Sequence, residues 1–380
     1  MDLELSEDEA ALRDNVRTVL EGICPSAVVR SAYDGGDPRP AVWRQMVELG
    51  WPALTIAEEH GGLGLGFVEQ VLVAEELGRA VVPSPLLATA TQFTPVIQTL
   101  GGPGSEAILA AVAAGELTGA LALAEDGRWD TAAVRASARR EGDGWVLDGA
   151  KHAVLDGATA DRIVVIARGT DGLGAFVLEG GAARAEARTV LDPTMPVADL
   201  HLDGVVVGPE SVLARPGEPD VERRLRRCVE ESVVAVAAMT VGACRRLFEE
   251  TVEYAKTREQ YDRPIGSFQA LKHRMADMCL SLERATALVY FAALTIAEDA
   301  PERSIAAAAA KSAAGDCQRL VVQEGLQLHG GIGYTWEHDL HFLLKRAKAG
   351  DALFGNAVAH RAALADLLGL DVEDGSAAVA

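Results

Sequence analysis

The sequence predicts an α-rich chain with a small central β domain: a helical N-terminal domain over 1–119, a β-barrel-like domain over 120–219, and a C-terminal four-helix bundle over 220–370. A short frayed tail over 371–380 follows. Two observations predict this. Apolar residues recur every three or four positions at both ends of the chain, which is the period of a helix burying one face. The middle instead carries short β-branched runs separated by glycine and aspartate turns. With 380 residues, 49% of them hydrophobic, the chain can furnish several packed cores.

The elements follow in order. Ser6 with Glu9 three residues later is a capping-box pattern, and Leu12, Val16, Val19 and Leu20 form the stripe of the helix it opens. Trp43, Met46, Val47, Leu49 and Trp51 make a second face, broken at Gly50 and Pro52, and Glu58–Gly64 is a turn-rich loop before a helix near Val68–Leu77. An alanine-rich helix around Ile108–Ala114 closes the unit. Strand patterns then appear at Trp145–Leu147, Ile163–Ile166 and Ala175–Leu178, with Arg140–Gly144 as a hairpin loop. After Pro219 one helical stripe runs from Val233 through Ala255 and a second from Leu271 through Ile296. Stretches near Ser304–Leu328 and Asp339–Leu368 supply the other two bundle helices.

Composition excludes some functions. A formal net charge of −21 opposes non-specific binding to nucleic acid or anionic lipid. The five cysteines are scattered without CxxC spacing, as expected of reduced thiols in the cytoplasm. The acidic first residues lack the pattern of a signal peptide, and the longest apolar run, Val233–Cys244, is shorter than the ~20 residues a bilayer requires. The expectation is a cytoplasmic protein with no membrane and no nucleic-acid partner. His329, His338 and His341 lie close in sequence but lack HExxH spacing and a cysteine partner, so no metal is expected. The basic run Arg223–Arg227 sits just before the first bundle helix, either to attract phosphates or as a solvated linker face.

Two strings carry chemistry. Gln327-Leu328-His329-Gly330-Gly331-Ile332-Gly333-Tyr334 ends one bundle helix, and Arg258-Glu259-Gln260-Tyr261 is followed by Gly266-Ser267-Phe268-Gln269 between two others. Glycines let backbone N–H groups approach a pyrophosphate closely, and an arginine adds charge-assisted bonds. A helix C-terminus needing left-handed residues would also explain the glycines.

With Leu49-Gly50-Trp51, Glu58-Glu59-His60-Gly61-Gly62, Glu76-Leu77-Gly78-Arg79 and Tyr254-Ala255-Lys256-Thr257-Arg258, these strings make the chain resemble the acyl-CoA dehydrogenase family along nearly its whole length. The resemblance implies FAD as cofactor and 2,3-desaturation of an acyl-CoA thioester, with electron-transfer flavoprotein as acceptor. It also implies that Arg258, Tyr261, Phe268, Gln269, Gln327, Gly330, Gly331 and Gly333 hold the ADP half of a neighbouring subunit's flavin.

The resemblance fails at the chemical centre. Phe354, in Ala352-Leu353-Phe354-Gly355-Asn356, stands where most members carry the glutamate base. The alternative base position, early in the first bundle helix, falls at about Ser232, with Glu230 and Glu231 beside it as candidate catalytic carboxylates or as acids of a helix N-terminus. Glu231 is the candidate base of this chain, although one residue is ~100° of helix rotation. Family segments that hold the isoalloxazine are replaced by Ala124-Glu125-Asp126-Gly127-Arg128-Trp129-Asp130 and, after Lys151-His152, by Ala153-Val154-Leu155.

Loss at one end and retention at the other resembles the bacterial heteromeric, steroid side-chain type of the family. The expectation is a flavin-supporting chain paired as α2β2 with a paralogous acyl-CoA dehydrogenase chain. A self-sufficient homotetramer with a displaced glutamate base and a non-catalytic assembly protein are the alternatives.

Overall fold

The computed structural model describes residues 4–370, so the expected frayed tail over 371–380 lies outside the described residues. Seven helices come first: α1 (Glu7–Ile23), α2 (Ser26–Tyr33), α3 (Arg39–Glu48), α4 (Phe67–Arg79), α5 (Leu86–Ala88), α6 (Thr94–Leu100) and α7 (Ser105–Ala113). The capping box is formed: the Glu9 N–H donates to Ser6 Oγ at 3.2 Å, and the Ser6 N–H donates to Glu9 Oε2 at 2.7 Å. Between α5 and α6 the chain makes one wide π-helical turn, Thr89–Phe93, whose five residues are all buried. The apolar run Leu86–Leu100 is thus helical throughout.

Eight strands follow: β1 (Gly119–Ala122), β2 (Ser137–Glu141), β3 (Gly144–Leu155), β4 (Arg162–Gly169), β5 (Gly172–Glu179), β6 (Arg184–Ala187), β7 (Val197–Val207) and β8 (Val212–Ala214). They form one sheet in the order β6-β7-β3-β2-β4-β5-β8, with β1 pairing parallel to β4. Alternation along β4 explains how the sheet joins the helices: Ile163 and Val165 point into the sheet's own core, whereas Val164 and Ile166 belong to the core shared with the helices.

The C-terminal part is α8 (Val221–Thr257), a two-stranded hairpin of β9 (Glu259–Gln260) and β10 (Arg263–Pro264), α9 (Gln269–Ala297), α10 (Arg303–His329), α11 (Leu340–Ala352) and α12 (Ala357–Leu367). Two expectations are corrected here. The helical stretch 339–368 is two helices, because Phe354 and Gly355 adopt φ of +59° and +89° and Asn356 then caps α12. And α8 begins at Val221, so Arg223–Arg227 lie inside it rather than before it, and Glu230 and Glu231 are not at its N-terminus.

α10 packs on α8 and α9, and α4 lies across α8. That crossing requires glycine on both helices. A Cβ on Gly78 would fall 1.9 Å from the Met239 carbonyl oxygen, and one on Gly242 would fall 1.8 Å from that of Glu75. By length and composition α9 could cross a membrane, with an 18-residue stretch of mean hydropathy 1.4, but here it is a helix of the bundle.

Candidate functional site

At one end of the bundle the two glycine- and arginine-bearing strings come together. Tyr254, near the end of α8, stacks on His329, the last residue of α10, with ring centroids 4.4 Å apart and planes 19° apart. The Tyr254 hydroxyl donates to the His329 carbonyl at 3.5 Å. The chain leaves α8 at Arg258 and turns back through Tyr261 and Asp262, whose φ values of +56° and +60° give the two left-handed central residues of a tight β9–β10 hairpin. Aspartate tolerates this conformation, its short polar side chain being able to hydrogen-bond locally. Phe268 ends the connection, with the Arg263 guanidinium 4.1 Å over its ring and Tyr261 edge-on at 6.2 Å.

This edge is open. Tyr261 is 87% exposed, and Ile332, Tyr334 and Trp336 are exposed nearby in the chain. Arg258, Gln269 and Gln327 are exposed, and no hydrogen bond or ion pair engages their side chains among the described residues. Gly330 has φ +62°, so the helix terminus accounts for it. Gly331 does not need left-handed geometry, and a Cβ there would meet nothing within 4 Å. Gly333 is buried, where a Cβ would press on His329 and Leu326 at 3.1 Å. Of the predicted contact set, then, Arg258, Tyr261, Phe268, Gln269, Gln327, Gly330 and Gly331 edge the open surface, and Gly333 shapes the loop from beneath.

The other predicted centre is closed. The Phe354 ring lies 6.3 Å from that of Trp129, and Phe354, Leu353, Leu155 and Ala124 are all buried. The loop carrying Trp129 is anchored by an ion pair between Lys151 Nζ and Glu125 Oε1 at 2.5 Å, with Lys151 fully buried. Glu125 also accepts the backbone N–H groups of Arg135 and Ala136. Burial pulls the Lys151 ammonium down to about 8, with Glu125 opposing the shift. His152 has a structural place: its Nδ1 accepts the Asp126 N–H at 3.1 Å. The Ala153 N–H donates to Asp199 Oδ1 at 2.9 Å. A phenyl ring, an indole and aliphatic side chains provide packing here and no proton acceptor.

Ser232 is fully buried and its hydroxyl bonds the carbonyls of Thr91 and Cys228, each at 3.0 Å. Glu230 is held by Arg303 Nε at 2.8 Å and by the Ser304 hydroxyl. Glu231 pairs with Arg227 Nε at 3.2 Å and lines a cavity of about 380 Å³ with Phe67, Gln70, Thr91, Gln98 and Thr99, apart from Trp129 and Phe354. Burial raises its pKa, with Arg227 opposing. The basic run is engaged as well. Arg223 pairs with Asp220 and Arg226 with Glu222 at exposed positions, and Arg224 donates to the Thr99 carbonyl, so each of the three has a partner within the fold. Among the described residues no group of three or more His, Cys, Asp or Glu is placed to hold a metal ion.

The fold and these strings define an acyl-CoA dehydrogenase. The family's N-terminal domain matches residues 6–116 and its C-terminal domain residues 224–368, and the chain belongs to this family of FAD-dependent oxidoreductases. Among its relatives is acyl-CoA dehydrogenase IpdE2 of Mycobacterium tuberculosis, 34% identical over 90% of this chain and 91% of the relative. The ChsE4–ChsE5 complex from Mycobacterium tuberculosis superposes with a TM-score of 0.87 at 25% identity, covering 99% of this chain and 100% of the other. A variant of the Tcur3481–Tcur3483 steroid ACAD gives 0.87 at 28% identity, covering 96% and 98%.

Proposed function

We propose that this chain is the flavin-supporting subunit of a heteromeric, cytoplasmic acyl-CoA dehydrogenase that desaturates a steroid side-chain CoA thioester at C2–C3. The observation that carries the reading is the contrast between its two predicted cofactor regions: an open edge with unpaired Arg258, Gln269 and Gln327, and a Phe354 position closed by Trp129. An exposed guanidinium and unpaired carboxamides suit the phosphates and adenine of an FAD whose isoalloxazine lies in a partner. FAD supplies the hydride acceptor of the reaction when bound. Arg258 and the Gly330–Gly331 backbone would hold its diphosphate, Gln269 and Gln327 its polar edges, and Tyr261 and Phe268 would flank it. The α proton must pass to a carboxylate, and with Phe354 at the usual base position that carboxylate belongs to a paralogous chain in an α2β2 assembly. Electron-transfer flavoprotein would take the electrons onward. Similarity to the ChsE4–ChsE5 complex supports the heteromer, similarity to the Tcur3481–Tcur3483 steroid ACAD supports the substrate class, and similarity to IpdE2 supports the acyl-CoA dehydrogenase reaction.

The test is expression alone and with the paralogous chain, measuring flavin per chain and subunit stoichiometry. Alone, the protein should purify colourless or well below one FAD per chain; a yellow, active homotetramer would overturn the proposal. The raised pKa of Glu231 in its cavity favours a second reading, a self-sufficient enzyme with a displaced base. Glu231→Gln separates the two, since loss of a true base lowers turnover at least ~10²-fold. A small effect is expected in the assembled complex.

A further inference from the structure

The three histidines that stand close in sequence close a loop. Residues 330–337 leave the end of α10 and return at the start of α11; His329 precedes the loop, His338 follows it, and His341 lies in the first turn of α11. His338 packs edge-on against His329 with ring centroids 5.3 Å apart. His341 stacks on Trp336 at 4.6 Å and 23°, and Lys345 Nζ lies 4.7 Å from the centre of the same indole. The Trp336 carbonyl accepts from Arg30 Nη1 at 2.9 Å and meets His341 Nε2 at 3.2 Å.

The neighbours fix where the imidazole protons are. A carbonyl only accepts, so His341 Nε2 carries the hydrogen; an ammonium only donates, so His341 Nδ1, 3.1 Å from Lys345 Nζ, is bare. His338 Nδ1 is bare too, because it accepts the Leu340 N–H at 3.1 Å. A second proton on either ring sets a donor against a donor. Both rings also flank the first turn of α11, where the helix dipole opposes positive charge. The other groups around them are Arg30 and Tyr33 of α2 and Asp339, which is held by Arg30 and Ser26. Asp192 acts on Lys345, and Tyr254 and Glu250 of α8 act on His329. Burial, then the Lys345 ammonium, holds His341 below the ordinary imidazole range.

We propose that His338 and His341 form an acid-released clasp on the loop 330–337: with Nδ1 bare they hold it against α11, and a second proton lets it go. Gly330 and Gly331 lie in this loop, so opening loosens the flavin edge, a consequence that rests on the function proposed above. The open loop leaves its imidazoles free to take protons at about pH 6.5. Below that value, and down to the lower value of the clasped ring, opening takes up a proton and becomes easier as pH falls.

The experiment is hydrogen exchange of the assembled protein, read by mass spectrometry on peptides covering 330–339 and corrected for the intrinsic pH dependence of exchange. Between about pH 7.5 and about pH 5, protection of this segment should fall by about tenfold per pH unit below about 6.5, while the core of α8 stays protected. Combining His338→Asn with His341→Asn supplies amide oxygens that accept the same donors without titrating, so the loop should stay closed at neutral pH and the fall should vanish. Lys345→Met takes the ammonium away from His341 and should shorten the fall, because the protonated ring is then tolerated in place. Protection that ignores pH, a fall shared equally by α8, a fall that persists in the double variant, or an unchanged fall in Lys345→Met would each overturn the clasp. Flavin content of the same samples separates this from the proposed function. Loop opening with flavin retained sinks the diphosphate contact and leaves the clasp standing, whereas flavin loss in Arg258→Ala with protection independent of pH sinks the clasp alone.

Discussion

Arg258 leaves α8 with its guanidinium exposed and unpaired, in a chain where most other arginines find a carboxylate or a carbonyl. If it binds a flavin phosphate, Arg258→Ala removes a charge-assisted bond of about 1.5–3 kcal/mol. The assembled complex should then lose flavin on gel filtration while keeping its subunit stoichiometry; unchanged flavin content would make Arg258 an ordinary exposed helix-end charge. At this scale the sequence was informative where chemistry is local. Ser6 and Glu9 announced their cap, and Gly330 its left-handed turn, because each depends on a few neighbouring atoms. What His341 faces is not legible. Three histidines close in sequence are a visible cluster, but Arg30 and Tyr33, which meet His341, lie far away in sequence.

Helix ends are less legible in this sequence than helix faces. The start of α8 carries no sequence signal, because Asp220, its N-cap, sits at φ +61° without a side-chain cap bond. The break after α11 was legible in Gly355-Asn356, but the apolar period runs through it and masks it. That break is held from α10. Lys311 Nζ donates to the carbonyls of Gly350 and Asp351 at 2.6 and 3.0 Å, satisfying groups that a helix C-terminus leaves open. Burial pulls Lys311 down to about 7, Asp351 opposing, against about 10.4 in an unfolded chain. Between these values the unfolded chain binds more protons than the native one, so this group makes stability rise with pH through that window. Lys311→Met should flatten the rise, seen as a smaller gain in urea midpoint from pH 7 to pH 9 than in the unmodified protein. An unchanged gain would show that Lys311 is charged throughout.

Across the whole molecule, one buried side chain touches all three parts of the chain. Arg346 of α11 is 1% exposed; its Nε pairs with Asp192 at 2.7 Å, and its other nitrogens reach Thr194 and the carbonyls of Leu77 and Val82. Tyr33 from α2 donates to the same Asp192 at 3.1 Å. The sequence announced the three parts through their periodicities, but not the arginine joining them, since its partners lie in the N-terminal helices and the loop between β6 and β7. Removing one partner of a buried pair costs about 3–5 kcal/mol. Arg346→Met should therefore split a single calorimetric transition into two; one transition, merely shifted, would count against this account.

The same arginine bears on how the chain comes apart. A cut near 119 takes only the Leu77 and Val82 carbonyls from Arg346, whereas a cut near 219 parts it from Asp192 and Thr194 as well, and leaves a guanidinium in one fragment and its carboxylate in the other. Neither fragment should persist by itself, yet the two mixed together have every partner needed to reassemble.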